Sequence, residues 1–425
     1  MSAADISKLD NGLTVLTVPG GSGSMTAMLF VGAGSRYETR DVAGTAHFLE
    51  HLFFKGTPRR PTTLQIATEI DSLGCRFNAF TSKEYTAYYV KGAAEYADRA
   101  VDMIADLLQN ALIPPDEVER ERGVVLEEMK MYEDNPRSKV ASLIDLVLYG
   151  DTPMGWDVIG FPEVIKGVGR DAIASYRESF YAPGRMTLVI AGNVTHEVTE
   201  RLARQHFAGL TEKPLGSALP GRFAETRTGQ DQREIQQANL AMAMPGPSHA
   251  DPERDVVAAR MMSAILGGSM SSRLFISVRE RQGLCYSINS SLDMAADIGM
   301  VAIDTGTDPE KAAQAVRSIV AEVEQLAADG VTPEEMDKGR AMLKGRYVLD
   351  REDSMNLAYL SAAELLYRGR VQGREAYFAL VDAIEPAEVL AAARRHLAPD
   401  RLRVALVGPR TLDVADVVEA AQVPV

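Results

Sequence analysis

The sequence predicts an α+β protein made of two tandem homologous domains, each a mostly antiparallel sheet covered by helices. Three observations predict it: an internal repeat, alternating apolar runs in both halves, and segments of helical period between them. Tyr181-Ala182-Pro183 followed by Leu188-Val189-Ile190-Ala191-Gly192 returns as Leu397-Ala398-Pro399 followed by Val404-Ala405-Leu406-Val407-Gly408, every element 216 positions later. Ala100-Val101 through Pro115-Asp116-Glu117 returns as Ala315-Val316 through Pro333-Glu334-Glu335 at offsets of 215 to 218. Two independent segments with near-equal offsets point to duplication. Residues 212–232, rich in Pro, Gly, Ser, Thr and charge, read as a linker between domains 1–211 and 233–425.

Individual elements follow from local pattern. Gly12 to Val18 alternates as a half-buried strand, and Met25 to Val31 continues in the same way. Pro61 to Leu73 and Tyr96 to Asn110 carry helical periodicity, whereas Arg76 to Lys91, rich in aromatic and β-branched residues, reads as a hairpin. Pro114-Pro115-Asp116-Glu117 opens a further helix, with Pro and acids in its first turn.

Composition narrows the function. At 425 residues, 46% apolar and 24% charged, the chain is an ordinary globular protein of two to three domains by length. It lacks any run of 18 uncharged apolar residues, which excludes a membrane-spanning helix. Met1-Ser2-Ala3-Ala4-Asp5-Ile6 has neither a basic nor an apolar leader region and is not Arg-rich, so a cytoplasmic location is expected. Cys75 and Cys285 read as small buried apolar residues, not as a disulfide framework. A net charge of −14 disfavours nucleic acid and suits either a cavity that attracts cationic or neutral peptides or simply a soluble surface.

The most informative segment is His47-Phe48-Leu49-Glu50-His51. On a helix, positions i, i+3 and i+4 share one face, so His47, Glu50 and His51 project together while Phe48 and Leu49 turn inward. Two imidazoles one turn apart can both reach a Zn²⁺ ion, and the carboxylate between them is placed to take a proton from water activated there. This is the H-x-x-E-H arrangement of inverzincins. Thr45 is the expected helix cap, and Leu52-Phe53-Phe54-Lys55-Gly56-Thr57-Pro58 closes the segment. A third ligand must come from elsewhere. On the helix opened by Pro115, Glu121 and Glu128 lie seven residues apart and therefore on one face, but Glu117, Glu119 and Glu127 are also present, and composition does not choose among them.

Taken together, His47 to His51, Asn78-Ala79-Phe80-Thr81-Ser82 and Glu121-Arg122-Gly123-Val124-Val125-Leu126-Glu127-Glu128 resemble the pitrilysin and mitochondrial-processing-peptidase family of zinc peptidases, in its short bacterial form. The resemblance implies that Glu128 binds Zn²⁺ and that Glu121 supports the site from behind, as carboxylates that accept a ligand imidazole's other N–H do. It places Asn78, Ala79 and Phe80 on a sheet edge that an extended peptide can join through main-chain hydrogen bonds. It assigns Phe54 to the pocket for the residue after the cut. In the second half it carries substrate binding and stabilisation of the tetrahedral intermediate onto Arg279 and Tyr286, seven residues apart and both hydrogen-bond donors.

Longer members of this family hold the zinc set and the Arg/Tyr pair in opposite halves of one closing shell. A chain with both sets is then one half-shell, and a homodimer would share two sites between its subunits. The expected function is a zinc-dependent endopeptidase that hydrolyses short unstructured peptides in that chamber, with Glu50 as general base and no nucleic acid or membrane partner. A leader or presequence processor is the alternative. Such enzymes carry acids about ten and fourteen positions after the glutamate ligand, where this chain has Ser138 and Ser142, with Glu133, Asp134 and Asp145 nearby. A non-catalytic assembly subunit is a further alternative, set against the presence of His47, Glu50, His51, Glu121 and Glu128 together.

Overall fold

The computed structural model describes residues 4–21 and 23–422. The chain folds as two compact units, Met1–Lys130 with Asp157–Leu219 and Val348–Arg374, and Met131–Trp156 with Pro220–Tyr347 and Glu375–Val425. The sheet of the first unit contains β1 (Asp5–Lys8), β2 (Thr14–Pro19), β3 (Ser24–Val31), β4 (Arg76–Thr81), β5 (Thr86–Ala93) and β6 (Met186–Gly192), in the order β1-β2-β6-β3-β5-β4. The second contains β7 (Thr228–Arg233), β8 (Ala238–Pro245), β9 (Cys285–Met294), β10 (Gly299–Thr307) and β11 (Arg403–Pro409), in the order β7-β11-β8-β10-β9.

Leaving β1 aside, the two orders are the same, with β7 standing for β2, β11 for β6, β8 for β3, β10 for β5 and β9 for β4. The directions agree as well: β2–β6 and β7–β11 are parallel, and the other pairs are antiparallel. The duplication read from two short echoes is therefore a duplication of topology.

β2 and β3 differ from the half-buried strands their alternation predicts. Val15 to Val18 and Met25 to Val31 are all buried. Both faces of the sheet are covered. On one side Val15, Ala27 and Leu188 meet Val101 and Ile104 of the helix Ala97–Asn110 and Leu202 and Phe207 of the helix His196–Phe207. On the other, Leu16, Met28, Phe30 and Val189 meet Leu357, Ala358 and Ala362 of the helix Ser354–Arg368.

The second unit is built in the same way. Leu240 and Met242 pack against Val257 and Met261 of the helix Glu253–Gly267. Ala241, Ala243 and Ala405 pack against Val140, Ile144 and Val147 of the helix Pro136–Tyr149. Each sheet thus has one face covered by a helix from the other half of the sequence. Every large apolar side chain so buried contributes roughly 1.5–3 kcal/mol before its ordering cost.

The predicted hairpin is β4–β5, in register from Arg76↔Lys91 to Thr81↔Thr86. β4 is the last strand of its sheet, and among the described residues no strand pairs with its outer edge. Among the described residues no helix is long and apolar enough to cross a membrane. Cys75 and Cys285 are free.

Candidate metal centre

The helix Thr45–Leu52 begins after Gly44, whose φ of +97° places it in the left-handed region. A Cβ at Gly44 would also lie 2.4 Å from the Ile159 carbonyl oxygen, so both conformation and space call for glycine. Thr45 is not the cap its position suggested: its hydroxyl donates to the Val42 carbonyl at 2.6 Å. The capping oxygens belong to Glu38, buried at 3% exposure, which accepts the Gly44 N–H at 2.7 Å and the Ala46 N–H at 2.5 Å. Its two oxygens pair amides that the helix leaves open, while burial pushes the carboxyl up to about 8 against the effect of those hydrogen bonds. Phe48, Leu49 and Leu52 enter the core at 0% exposure, which turns His47, Glu50 and His51 the other way.

The helix Pro115–Asp134 brings Glu128 to the two imidazoles. Glu128 Oε2 is 3.7 Å from His47 Nε2 and 3.5 Å from His51 Nε2, and one donor atom from each residue lies within 4.8 Å of the others. Tetrahedral ligands around Zn²⁺ stand about 3.3–3.6 Å apart, given metal–ligand distances near 2.0–2.2 Å. Two nitrogens and one carboxylate oxygen also form the donor set of a catalytic zinc site with one open position. The residues present therefore fit such an ion. His47 Nδ1 is buried with no hydrogen-bond partner among the described residues, so its Nε2 is the nitrogen directed at the cluster.

A second layer of contacts holds these groups. Glu121 Oε2 is 3.1 Å from His51 Nδ1, and its Oε1 is 2.5 Å from Lys55 Nζ. Burial raises the Glu121 carboxyl, yet His51 and Lys55 outweigh it and hold the group below its ordinary value. Burial, and then the neighbouring His51, push the His47 imidazole down to about 4. Burial acts the same way on His51, but hydrogen bonds to Glu121 and Glu128 prevail and raise it to about 9. Glu50 is raised, chiefly by burial, while Thr81 Oγ1 donates to its Oε2 at 2.6 Å.

The residues expected to meet a peptide lie on β4 and beside it. Asn78 is exposed and its Oδ1 accepts the Ala79 N–H at 2.9 Å; Ala79 is buried. Phe80 turns to the other face, where its ring packs edge-on against Tyr359 at 5.6 Å. The Phe54 ring lies 5.3 Å from that of Phe77. In the second unit, Arg279 sits on a π-helical segment, Phe275–Arg281, a form that often marks functional sites. Its guanidinium lies over the ring of Phe275 at 4.4 Å and of Tyr286 at 5.3 Å, and Tyr286, at the start of β9, is 80% exposed.

The structure thus gathers His47, Glu50, His51, Glu121 and Glu128 in the first unit, and sets Arg279 beside Tyr286 in the second. Four neighbours were not read from the sequence as parts of the site. Lys55 follows His51 by one helical turn and Phe275 precedes Arg279 by one, spacings that could have suggested them. Thr81 falls inside the segment that carries Asn78. Glu38 has no local signal, because it lies outside the helix it caps.

Residues 18–160 match the insulinase family of peptidases (peptidase family M16), and residues 167–343 match the peptidase M16 inactive domain. A protein of Mycobacterium tuberculosis named as an uncharacterised zinc protease is 36% identical over 92% of this chain and 92% of its own. Another of that description, from Bacillus subtilis, is 34% identical over 81% of this chain and 82% of its own. In the fold alone, the chain is similar to the crystal structure of a protease from Helicobacter pylori, with a TM-score of 0.88 and 24% identity over 96% of this chain and 99% of that one.

Proposed function

The chain belongs to the insulinase family of peptidases, M16, and on that premise we propose that it is a zinc-dependent endopeptidase of short unstructured peptides, with Glu50 as general base. The observation that carries this reading is the approach of Glu128 Oε2 to the Nε2 atoms of both His47 and His51, with Glu50 on the same helix face. When bound by these three side chains, Zn²⁺ supplies Lewis acidity toward the scissile carbonyl and acidifies water at the open position.

The protein groups do the rest. Glu50 accepts the proton of the attacking water and later delivers it to the leaving amine. Glu121 fixes the His51 ring by accepting its Nδ1–H, and Lys55 anchors Glu121. The free edge of β4, with Asn78, Ala79 and Phe80, grips peptide backbone by strand addition, which is tolerant of sequence, and Phe54 shapes the pocket beyond the cut. Arg279 and Tyr286 donate hydrogen bonds to the substrate carbonyl as its oxygen gains charge. Because the chain carries each set once, the functional unit is a homodimer in which Arg279 and Tyr286 of one subunit serve the metal site of the other, in an enclosed chamber in the cytoplasm.

A random peptide mixture tests the reading. Zinc-loaded wild type should cleave it, a chelator should stop cleavage and added zinc should restore it. Glu50→Gln should keep its zinc and lose turnover; unimpaired cleavage by zinc-loaded Glu50→Gln rejects the assigned role.

A further inference from the structure

Thr81 is the last residue of β4, and its hydroxyl is 2.6 Å from Glu50 Oε2, the length of a hydrogen bond to an ionised acceptor. The contact follows from strand geometry. Side chains alternate along β4, so Phe77, Ala79 and Thr81 face one side while Asn78 and Phe80 face the other. β4 packs against the metal helix, whose Phe48 and Leu49 belong to the same core as Ala79, and Thr81 meets Glu50 of that helix. Thr81 is not a loop residue free to turn away, since it pairs with Thr86 of β5, whose own hydroxyl donates to the Ala33 carbonyl at 2.9 Å. Among the described residues Glu50 Oε1 has no hydrogen-bond donor, which leaves that oxygen for the proton in transfer.

We propose that Thr81 is the positioning residue for Glu50: it ties the carboxylate to the strand whose edge receives the peptide, so that docking and proton transfer share one frame. The proposal rests on the peptidase reading above. The terminal torsion of a glutamate is broad, and without a donor the carboxylate rotates away from the attacking water. The Thr81 hydroxyl donates to Glu50, so its effect falls on turnover and not on binding.

Thr81→Val removes the hydroxyl at nearly constant volume, and Thr81→Ser keeps it. With a peptide that wild type cleaves, Thr81→Val should lower kcat by about tenfold to a hundredfold, with KM within about twofold. Zinc content should equal that of wild type, and Thr81→Ser should stay within about threefold of wild-type kcat. Wild-type kcat in Thr81→Val, a loss carried by KM, or equal failure of the Ser variant would each overturn the proposal. If Thr81→Val fails to fold, as judged by Tm and zinc content, Thr81→Ala gives the same comparison. Absence of zinc-dependent cleavage by wild type would instead sink the peptidase reading, a result separable from an active wild type with an equally active Thr81→Val.

Discussion

Lys55 Nζ lies 2.5 Å from one oxygen of Glu121, while the other oxygen of that carboxylate is 3.1 Å from His51 Nδ1. Glu121 therefore spends both oxygens on the support of one imidazole. In Glu121→Gln the charge that binds Lys55 is gone and the acceptor toward His51 is weaker. The expected result is an apparent zinc affinity lower by about 10–100-fold in competition with a chelator, with little change in Tm of the metal-free protein. Undiminished zinc affinity would remove Glu121 from the support of the site.

Glu38 should matter for stability more than any residue inside the helix it caps. Its removal leaves the Gly44 and Ala46 amides buried without their acceptor. Loss of a cap costs about 0.5–2 kcal/mol and an unpaired buried donor about 1–3 kcal/mol. Urea unfolding of Glu38→Ala should thus show a loss of about 2 kcal/mol or more, while Thr45→Val, which has no capping role, should lose less. The reverse order would restore Thr45 as the cap.

Acid should destabilise the first unit through Glu69. The Arg60 guanidinium above all, with help from Arg99 and against the effect of partial burial, pulls the Glu69 carboxyl from its ordinary 4.5 down to about 2. Arg60 also pairs with Asp102 at 2.7 Å and with the fully buried Asp106 at 2.6 Å. A carboxyl lowered on folding stabilises the protein above its unfolded value, and that stabilisation is lost as the pH falls through the folded value. The Tm of Glu69→Gln should be lower than wild type at neutral pH and should converge on it between pH 4.5 and about 2. A constant gap across that range would contradict the assignment.

Shared sites predict complementation. Chains with Glu50→Gln and chains with Tyr286→Phe should each be impaired alone, and verified mixed dimers should recover part of the activity. No recovery in such dimers would place both sets within one subunit's own site, or in another assembly.

Much of this was legible in the sequence where the signal is local or repeated. His47 and His51 are one turn apart, and Glu121 and Glu128 two turns apart, so helical period alone aligns each pair. The repeat of Tyr181-Ala182-Pro183 at Leu397-Ala398-Pro399 pointed to the duplication, and apart from β1 the two sheets have the same strand order. What stayed hidden depends on contacts between distant segments. The cover that Leu357 and Ala358 place over Met28 and Phe30 buries both faces of β3, which a period-two pattern cannot foretell. The same holds for Glu38, whose carboxylate caps a helix it does not belong to, and for Thr81, whose hydroxyl finds Glu50 across 31 positions.

The central claim is that His47, His51 and Glu128 bind one zinc ion, and metal analysis of purified wild type beside Glu128→Gln tests it most directly. The account predicts about one zinc per chain in the wild type and a large loss in folded Glu128→Gln. Equal zinc in the two proteins, or none in a folded wild type supplied with the metal, would contradict it.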